Sequence, residues 1–473
     1  MGVGRAFTTA DRNAAAAVCR TVERRGVPIT VAAHDAAAIV MAAVTGDLTA
    51  APGLVLLEAV PLAPRTLAAL DQARSDRSPM LAITANERPA RALGSVTKAS
   101  LEITPESAAH WIAHAGHLAM TDPRGPVHLA IGSGISRAPA MPLATSVRPP
   151  ALSPPAPDDL DAAAALITAS VHPLVIAGVQ ARSRADAEWL RAFAETLPAP
   201  VVSTPKARGV IPEPHPLSLG VLGRHGVVAE LVRLADLVIA LGLDIADDRA
   251  AVPSSTAVLH VARTDLSLHA YARARQVVGD IGLILEELAP RLRDRRRADW
   301  DVAELDRFKR ALARERGATD VSGGIGEVVA LAREATPAGA IAVFDRGVVA
   351  AADRWTCVLP LDLVAPQSPT SDGFAVPAAL AARLACPDRP VVAFTDFTGL
   401  TASLPELATA SHLGLALVIV VANDTDTRIA TLPETADLRT FAIDSDRSRA
   451  EIVARAVELA GPSVIDVRIE PRR

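Results

Sequence analysis

Aromatic residues are scarce in this chain. Phe, Trp and Tyr make up 3% of 473 residues, with a single Tyr, although half of all residues are hydrophobic. Ala and Val fill much of that share, so large cores are available but must be built from small side chains. Cysteine is scarcer still. Cys19, Cys357 and Cys386 stand alone with no CxxC spacing, which argues against a disulfide framework and for reduced thiols. There is no basic excess: 48 Lys and Arg face 53 Asp and Glu, a net charge of −5 with no basic stripe. That argues against a nucleic-acid partner. No long uncharged apolar run is present, and the first residues, MGVGRAFTTADRN, lack an apolar signal core. A membrane span or a secretory leader is therefore not expected. The expectation is a soluble cytoplasmic protein that handles a small-molecule metabolite.

The length suggests two to four domains, at roughly 150 residues each. From residue 9 to 138, Ala-rich helical patterns alternate with short apolar strands: VPITVAA, GLVLLEAV, SPMLAITA and GPVHLAIG. Helices between strands imply a parallel sheet. A proline-dense stretch at 139–157 breaks the pattern and reads as a linker. A second α/β block follows at 158–292, with strands HPLVIAG, APVVST, DLVIALG and AVLHVA. Residues 293–322 read as a charged helical connector, within which Leu305, Phe308 and Leu312 could form one docked stripe. A third α/β block covers 323–473. The expected fold class is α/β, with three domains (1–138, 158–292 and 323–473), each an open, mainly parallel sheet flanked by helices.

The third block carries the most informative stretch, from Asp372 to Asp424. An Ala-rich helical segment leads to PDRPVVAF, which reads as a buried strand. A polar turn is expected at 395–398, then a helix around PELATASHL. A second strand, LALVIVVA, ends on Asn423-Asp424. This βαβ unit places two polar turns at the carboxyl ends of parallel strands, where open α/β sheets bind ligands.

In order and spacing this stretch resembles the diphosphate-binding domain of thiamine-diphosphate (ThDP) enzymes of the acetolactate synthase and benzoylformate decarboxylase type. The first block is similar to their pyrimidine-binding domain: His34-Asp35 precedes AAAIVMAAVTG, then come GLVLLEAVPLAP and SDRSPMLAITA. The middle block resembles their central domain, most clearly in PVVSTPKARGVIPEPHPLSLG. The resemblance implies ThDP and Mg²⁺ as cofactors, 2-oxo acid decarboxylation or carboligation as chemistry, and a homodimer or homotetramer.

Several positions depart from that pattern. The family's catalytic glutamate corresponds to Asp35, one methylene shorter, beside His34. A hydrogen bond spans only about 2.6–3.2 Å. A Gly-Pro-Gly turn corresponds to Val60-Pro61-Leu62. The bulky residue that wedges the bent cofactor corresponds to Asp372, a carboxylate that would be desolvated between two rings. An ungapped alignment puts Phe397 at the metal-binding aspartate and Asp424 at the second metal-binding asparagine. A one-residue shift puts Asp396 and Asn423 there instead. Mg²⁺ requires oxygen ligands at about 2.0–2.1 Å, which Phe397 cannot supply.

The candidate residues are therefore His34, Asp35 and Asp372 for acid or base chemistry. Pro61, Asp396, Phe397, Asn423 and Asp424 line the ancestral cofactor turns. Asp396, Asn423 and Asp424 are metal ligands only if the shifted alignment holds or the acidic turn still binds a cation. Plainer readings stand beside these: a helix cap for His34-Asp35, with Asp a good N-cap, and ordinary strand-to-helix turn chemistry for the acidic residues. Three functions follow: a divergent enzyme without conventional ThDP and Mg²⁺, a working ThDP enzyme, or a non-catalytic paralogue of an active subunit. In the middle block Gly178, Thr204, Lys206, Gly223 and Gly242 sit at strand ends. Such turns are more often structural, so FAD is not supported.

Overall fold

The computed structural model describes residues 2–9, 16–49, 51–57, 63–85, 91–132, 152–224, 226–247, 255–265, 274–293, 298–318, 324–367, 372–432, 435, 438–443 and 449–469. Three domains each hold a six-stranded sheet flanked by helices. The first contains β1 (Ala6–Thr9), β2 (Ile29–Ala32), β3 (Gly53–Leu57), β4 (Met80–Thr84), β5 (Ala99–Ile103) and β6 (Pro126–Ile131), in the order β2-β1-β3-β4-β6-β5. The central one contains β7 (Pro173–Ala177), β8 (Val201–Ser203), β9 (Ser218–Val221), β10 (Leu237–Leu241), β11 (Ala257–Ala262) and β12 (Ala274–Val278), ordered β12-β11-β10-β7-β8-β9. The third contains β13 (Ile341–Phe344), β14 (Leu363–Val364), β15 (Val391–Asp396), β16 (Val418–Asn423), β17 (Arg439–Ile443) and β18 (Ser463–Arg468), ordered β14-β13-β15-β16-β18-β17. Pairing is parallel throughout β1–β13 and β15–β18 as described.

Parallel sheets are covered on both faces, so their inner strands read as unbroken apolar runs. β6, β7, β10 and β16 are buried at every residue. Edge strands β5 and β17 are only partly buried and lack that run, and β1 is only four residues long. None of these three stood out from composition.

The chain divides into two compact units. One holds the first and third sheets (1–149, 322–355 and 364–473); the other holds the central sheet (150–321 and 356–363). Within the first unit, the helices Asp35–Leu48 and Ala375–Ala385 pack together. Residues 37–46 of one and 375–382 of the other are buried without a break. Helices apolar all round belong in an interior, and their alanines allow close approach of the two axes. This pairing joins the two domains that matter for the site.

In the second unit the helix Val302–Ala318 does not stand off in solvent. Leu305, Phe308 and Leu312, with Trp300 just before the helix, are buried in the central-domain core. The Trp300 indole N–H donates to the Pro173 carbonyl at 2.8 Å. Each fully buried side chain of this size contributes about 1.5–3 kcal/mol, enough to overcome the solvating pull of the flanking charges. Among the described residues no helix is long and apolar enough to cross a membrane, and none of the three cysteines forms a disulfide. The proline-dense stretch lies mostly outside the described residues, which resume at Leu152 and enter a helix at Pro157.

Candidate functional site

The chain leaves β2 through Ala33 and turns into the helix Asp35–Leu48 at His34, and this turn carries the first candidate residues. His34 is extended (φ −152°, ψ 160°) and is itself the N-cap: its Nδ1 accepts the Ala37 N–H at 3.1 Å. The plainer reading of this pair as a helix cap holds, with His34 rather than Asp35 as the cap, because Asp35 is the first helical residue. A carboxylate there would also suit the helix dipole, yet burial raises the Asp35 pKa, with Thr9 as its hydrogen-bonding neighbour. Burial, and next the Arg65 charge, hold the His34 pKa below its usual value. The ring is therefore neutral at pH 7. With Nδ1 accepting, its proton sits on Nε2, which is buried without a hydrogen bond of normal geometry and faces the Ala402 backbone.

A second buried carboxyl secures this turn from behind. Glu406, in the helix Leu404–His412 of the third domain, is fully buried, and its Oε1 accepts the Ala33 N–H at 3.3 Å. Its Oε2 has no partner, and burial pushes its pKa up to about 7. Unpartnered atoms of His34, Asp35 and Glu406 thus gather at one turn. Buried polar atoms are normally satisfied by protein, water or ligand, so such a grouping calls for explanation. Glu406 was not singled out from sequence. It lies in the helix expected around PELATASHL, and only the first domain packed against it accounts for its burial.

In front of His34 lies a cavity of about 250 Å³, bordered by His34, Val40, Arg65, Asp372, Phe374 and Ala402 among others. Asp35 is not among its lining residues. Asp372 reaches the cavity because Gly373 turns the chain with φ +80°, and a Cβ there would lie 2.9 Å from the Ala402 methyl. The half-exposed Asp372 carboxylate pairs with Arg346 at 2.9 Å. Two of the three acid-base candidates therefore share one cavity, together with an arginine that the sequence did not flag.

The third-domain turns are arranged differently from the expectation. No polar turn separates strand from helix at 395–398. Asp396 ends β15 and caps the helix Phe397–Ala402, its Oδ1 accepting the Gly399 N–H at 2.7 Å. Its other oxygen rests against Gly347, where a Cβ would lie 1.8 Å away. Beneath it, Asp345 is buried and accepts hydrogen bonds from the Arg346 N–H (3.0 Å) and the Thr395 hydroxyl (3.0 Å). Its pKa is raised by burial and also by the Asp396 charge. Phe397 is half-buried against the core.

Asn423 is fully buried and turned inward. Its Oδ1 accepts from the Thr425 N–H and hydroxyl, and its Nδ2 donates to the Thr427 carbonyl and to Asp466. Asp424 is exposed. Among the described residues no three His, Cys, Asp or Glu side chains are placed to hold a metal. Pro61, with Val60 and Leu62, lies outside the described residues.

Comparison with known proteins agrees with this architecture. Residues 1–105 match the family model for the N-terminal TPP-binding domain of thiamine pyrophosphate enzymes, 160–288 the central domain, and 349–429 the C-terminal TPP-binding domain. The chain belongs to the ThDP enzyme superfamily. It is acetolactate-synthase-like: it is 31% identical to the acetolactate synthase isozyme 1 large subunit of Escherichia coli over 284 residues, which cover 55% of this chain and 48% of that protein. It is 27% identical over 427 residues to a probable 2-ketoarginine decarboxylase of Pseudomonas aeruginosa, covering 84% of this chain and 76% of that one. The match to the E. coli subunit thus spans about half of that relative's length. A solved structure of a Mycobacterium smegmatis protein, described as a thiamin diphosphate-dependent enzyme, superposes with a TM-score of 0.80 over 99% of this chain and 97% of its own, at 20% identity. At that identity the likeness concerns the fold alone.

Proposed function

We propose that this member of the superfamily is a divergent enzyme that acts on a small metabolite, of the size of a short 2-oxo acid, without conventional ThDP and Mg²⁺ binding. The observation that carries the reading is the inward-turned Asn423, whose side-chain oxygen and nitrogen are both engaged within the fold. Magnesium needs near-octahedral oxygen ligation. In the ungapped alignment Phe397 carries no ligand atom and the exposed Asp424 stands alone; in the shifted one Asn423 offers the metal nothing and Asp396 already spends Oδ1 on a helix cap. Asp345, Asp372 and Asp396 also crowd carboxylates where a diphosphate would bring more negative charge.

The reaction site in this reading is the cavity at His34, Arg65 and Asp372. Its volume of about 250 Å³ falls below the roughly 300–1,000 Å³ typical of sites for larger ligands, which suits a molecule of a few carbons. Arg65 supplies a charged fork for a carboxylate. The neutral His34 ring walls the cavity with its Nε2–H turned to the Ala402 backbone, so the Arg65 guanidinium also faces the carbonyl oxygen, and Asp372 accepts the proton released from the neighbouring carbon. These are the parts needed for proton transfer beside a carbonyl. As in the family, the working form is taken to be a homodimer or homotetramer in the cytoplasm.

A working ThDP enzyme is the second reading, favoured by the matches over 1–105 and 349–429. Proton NMR of pyruvate and 2-oxobutanoate in D₂O separates the two. ThDP-free protein is expected to accelerate deuterium entry beside the carbonyl, and Asp372→Asn to abolish the acceleration. No acceleration without ThDP, followed by product formation once ThDP and Mg²⁺ are added, would overturn the proposal. Inactivity under both conditions would leave the non-catalytic paralogue, whose signature is co-purification with an intact relative.

A further inference from the structure

The central domain carries a second groove of its own. We propose that the groove between the helices Gly226–Leu234 and Val302–Ala318 binds a nucleoside polyphosphate. The groove has a volume of about 750 Å³ and is lined by Val227, Glu230, Glu304, Arg307, Arg310 and Arg314, with Phe308 in its floor.

Leu305, Phe308 and Leu312 dock the Val302–Ala318 helix on the core, and this fixes which side its other residues occupy. Arg307, Arg310 and Arg314, three and four residues apart, fall on the exposed side of the helix away from the docked face and line the outer rim of the groove. They extend over about 10.5 Å at 1.5 Å per residue. Glu315 pins the other wall, accepting the Val227 N–H at 3.3 Å.

The guanidinium groups retain most of their hydrogen-bonding capacity. Arg310 uses its Nε on the Asp306 carbonyl of its own helix. Arg307 approaches Glu304 only to 3.9 Å, beyond hydrogen-bonding distance. Arg314 has no hydrogen bond or ion pair among the described residues. Three planar forks facing one groove suit phosphate oxygens, which arginine binds in bidentate fashion.

Two carboxylates make the choice of ligand narrower. Glu230 and Glu304 would repel a bare phosphate chain, yet each accepts hydrogen bonds well. A ligand with anionic groups at one end and hydroxyl or amine donors at the other satisfies both walls, and a ribose on a diphosphate has that layout. The volume also lies within the range for such ligands. This place on the outer helices is distinct from the strand-end turns at Gly178 and Gly242, where the carboxylate of Asp247 already accepts the Val179 N–H at 2.9 Å.

Calorimetric titration of the full chain with ADP, and separately with pyrophosphate and adenosine, tests the site. ADP is expected to bind more tightly than either fragment and to weaken as salt rises. The exposed double substitution Arg310→Glu with Arg314→Glu should weaken ADP at least about tenfold, with unchanged circular dichroism. Glu230→Gln should weaken ADP while tightening pyrophosphate, from which it removes a like charge. An absence of heat at millimolar ADP, or affinity unchanged in the arginine variant, would overturn the proposal. Equal affinity for pyrophosphate and ADP would overturn the nucleoside assignment.

Discussion

Replacing Glu406 with Gln should make the protein more stable at alkaline pH, the reverse of what loss of a buried charge partner usually does. Glu406 is fully buried, and its carboxyl is pushed from 4.5 up to about 7, chiefly by burial. Between those values the folded chain holds a proton that the unfolded chain has released. Stability from this group is therefore present below pH 4.5 and is lost as the pH rises through 7. At about 1.36 kcal/mol per pH unit, the rise from 4.5 to about 7 sets an upper bound of about 3.4 kcal/mol. The amide introduced by Glu406→Gln never ionises, and its oxygen can still accept the Ala33 N–H. Urea denaturation of both proteins should give equal midpoints near pH 4.5 and a higher midpoint for the variant at pH 8. A variant less stable by the same amount at both pH values would refute the reasoning, because it would mean that Glu406 is ionised and held by Arg65.

Other substitutions probe separate parts of the account. His128 is buried between Thr84 (2.8 Å) and Ser100 (2.7 Å), and burial lowers its pKa to about 4; a histidine kept neutral in the fold loses stability as pH falls from 6.5 through 4, and His128→Gln should flatten that acid limb in a denaturation series. Arg208 and Glu213 form a buried pair at 2.7 Å, so Arg208→Ala should lower urea stability by about 3–5 kcal/mol by taking the closest cation from a buried carboxylate. Gly347→Ala should destabilise by about 1–3 kcal/mol, since its methyl would meet the Asp396 carboxylate, and Asp396→Ala should offset part of that loss in the double variant.

Much of the fold was legible because parallel strands covered on both faces announce themselves. VVAF, VIVVA, LVIAL and PLVIA carry uninterrupted apolar runs, and each became a strand. Among the strands not named from sequence, β5 and β17 sit at sheet edges with most of their residues reached by water and β1 spans only four residues, whereas β13 and β18 were passed over despite being buried along almost their whole length. The connector helix presented more charge than apolar surface, and its three docked residues outweighed the rest. Of the residues that a family motif marked, His34 and Asp372 border one cavity. Their surroundings were not legible in the sequence. That Asn423 turns inward depends on Asp466, which lies 43 residues away in sequence. That Glu406 is a buried, protonatable group depends on a strand end in another domain. Pair contacts of this kind leave no periodic trace in a single chain.

The central claim is that the turns which hold magnesium diphosphate elsewhere in the superfamily are engaged internally here. Isothermal titration of the purified protein with ThDP in the presence and absence of Mg²⁺ tests it most directly. The account predicts no metal-dependent binding at micromolar ThDP. Micromolar affinity that appears with Mg²⁺ and disappears with Asp396→Ala would contradict it.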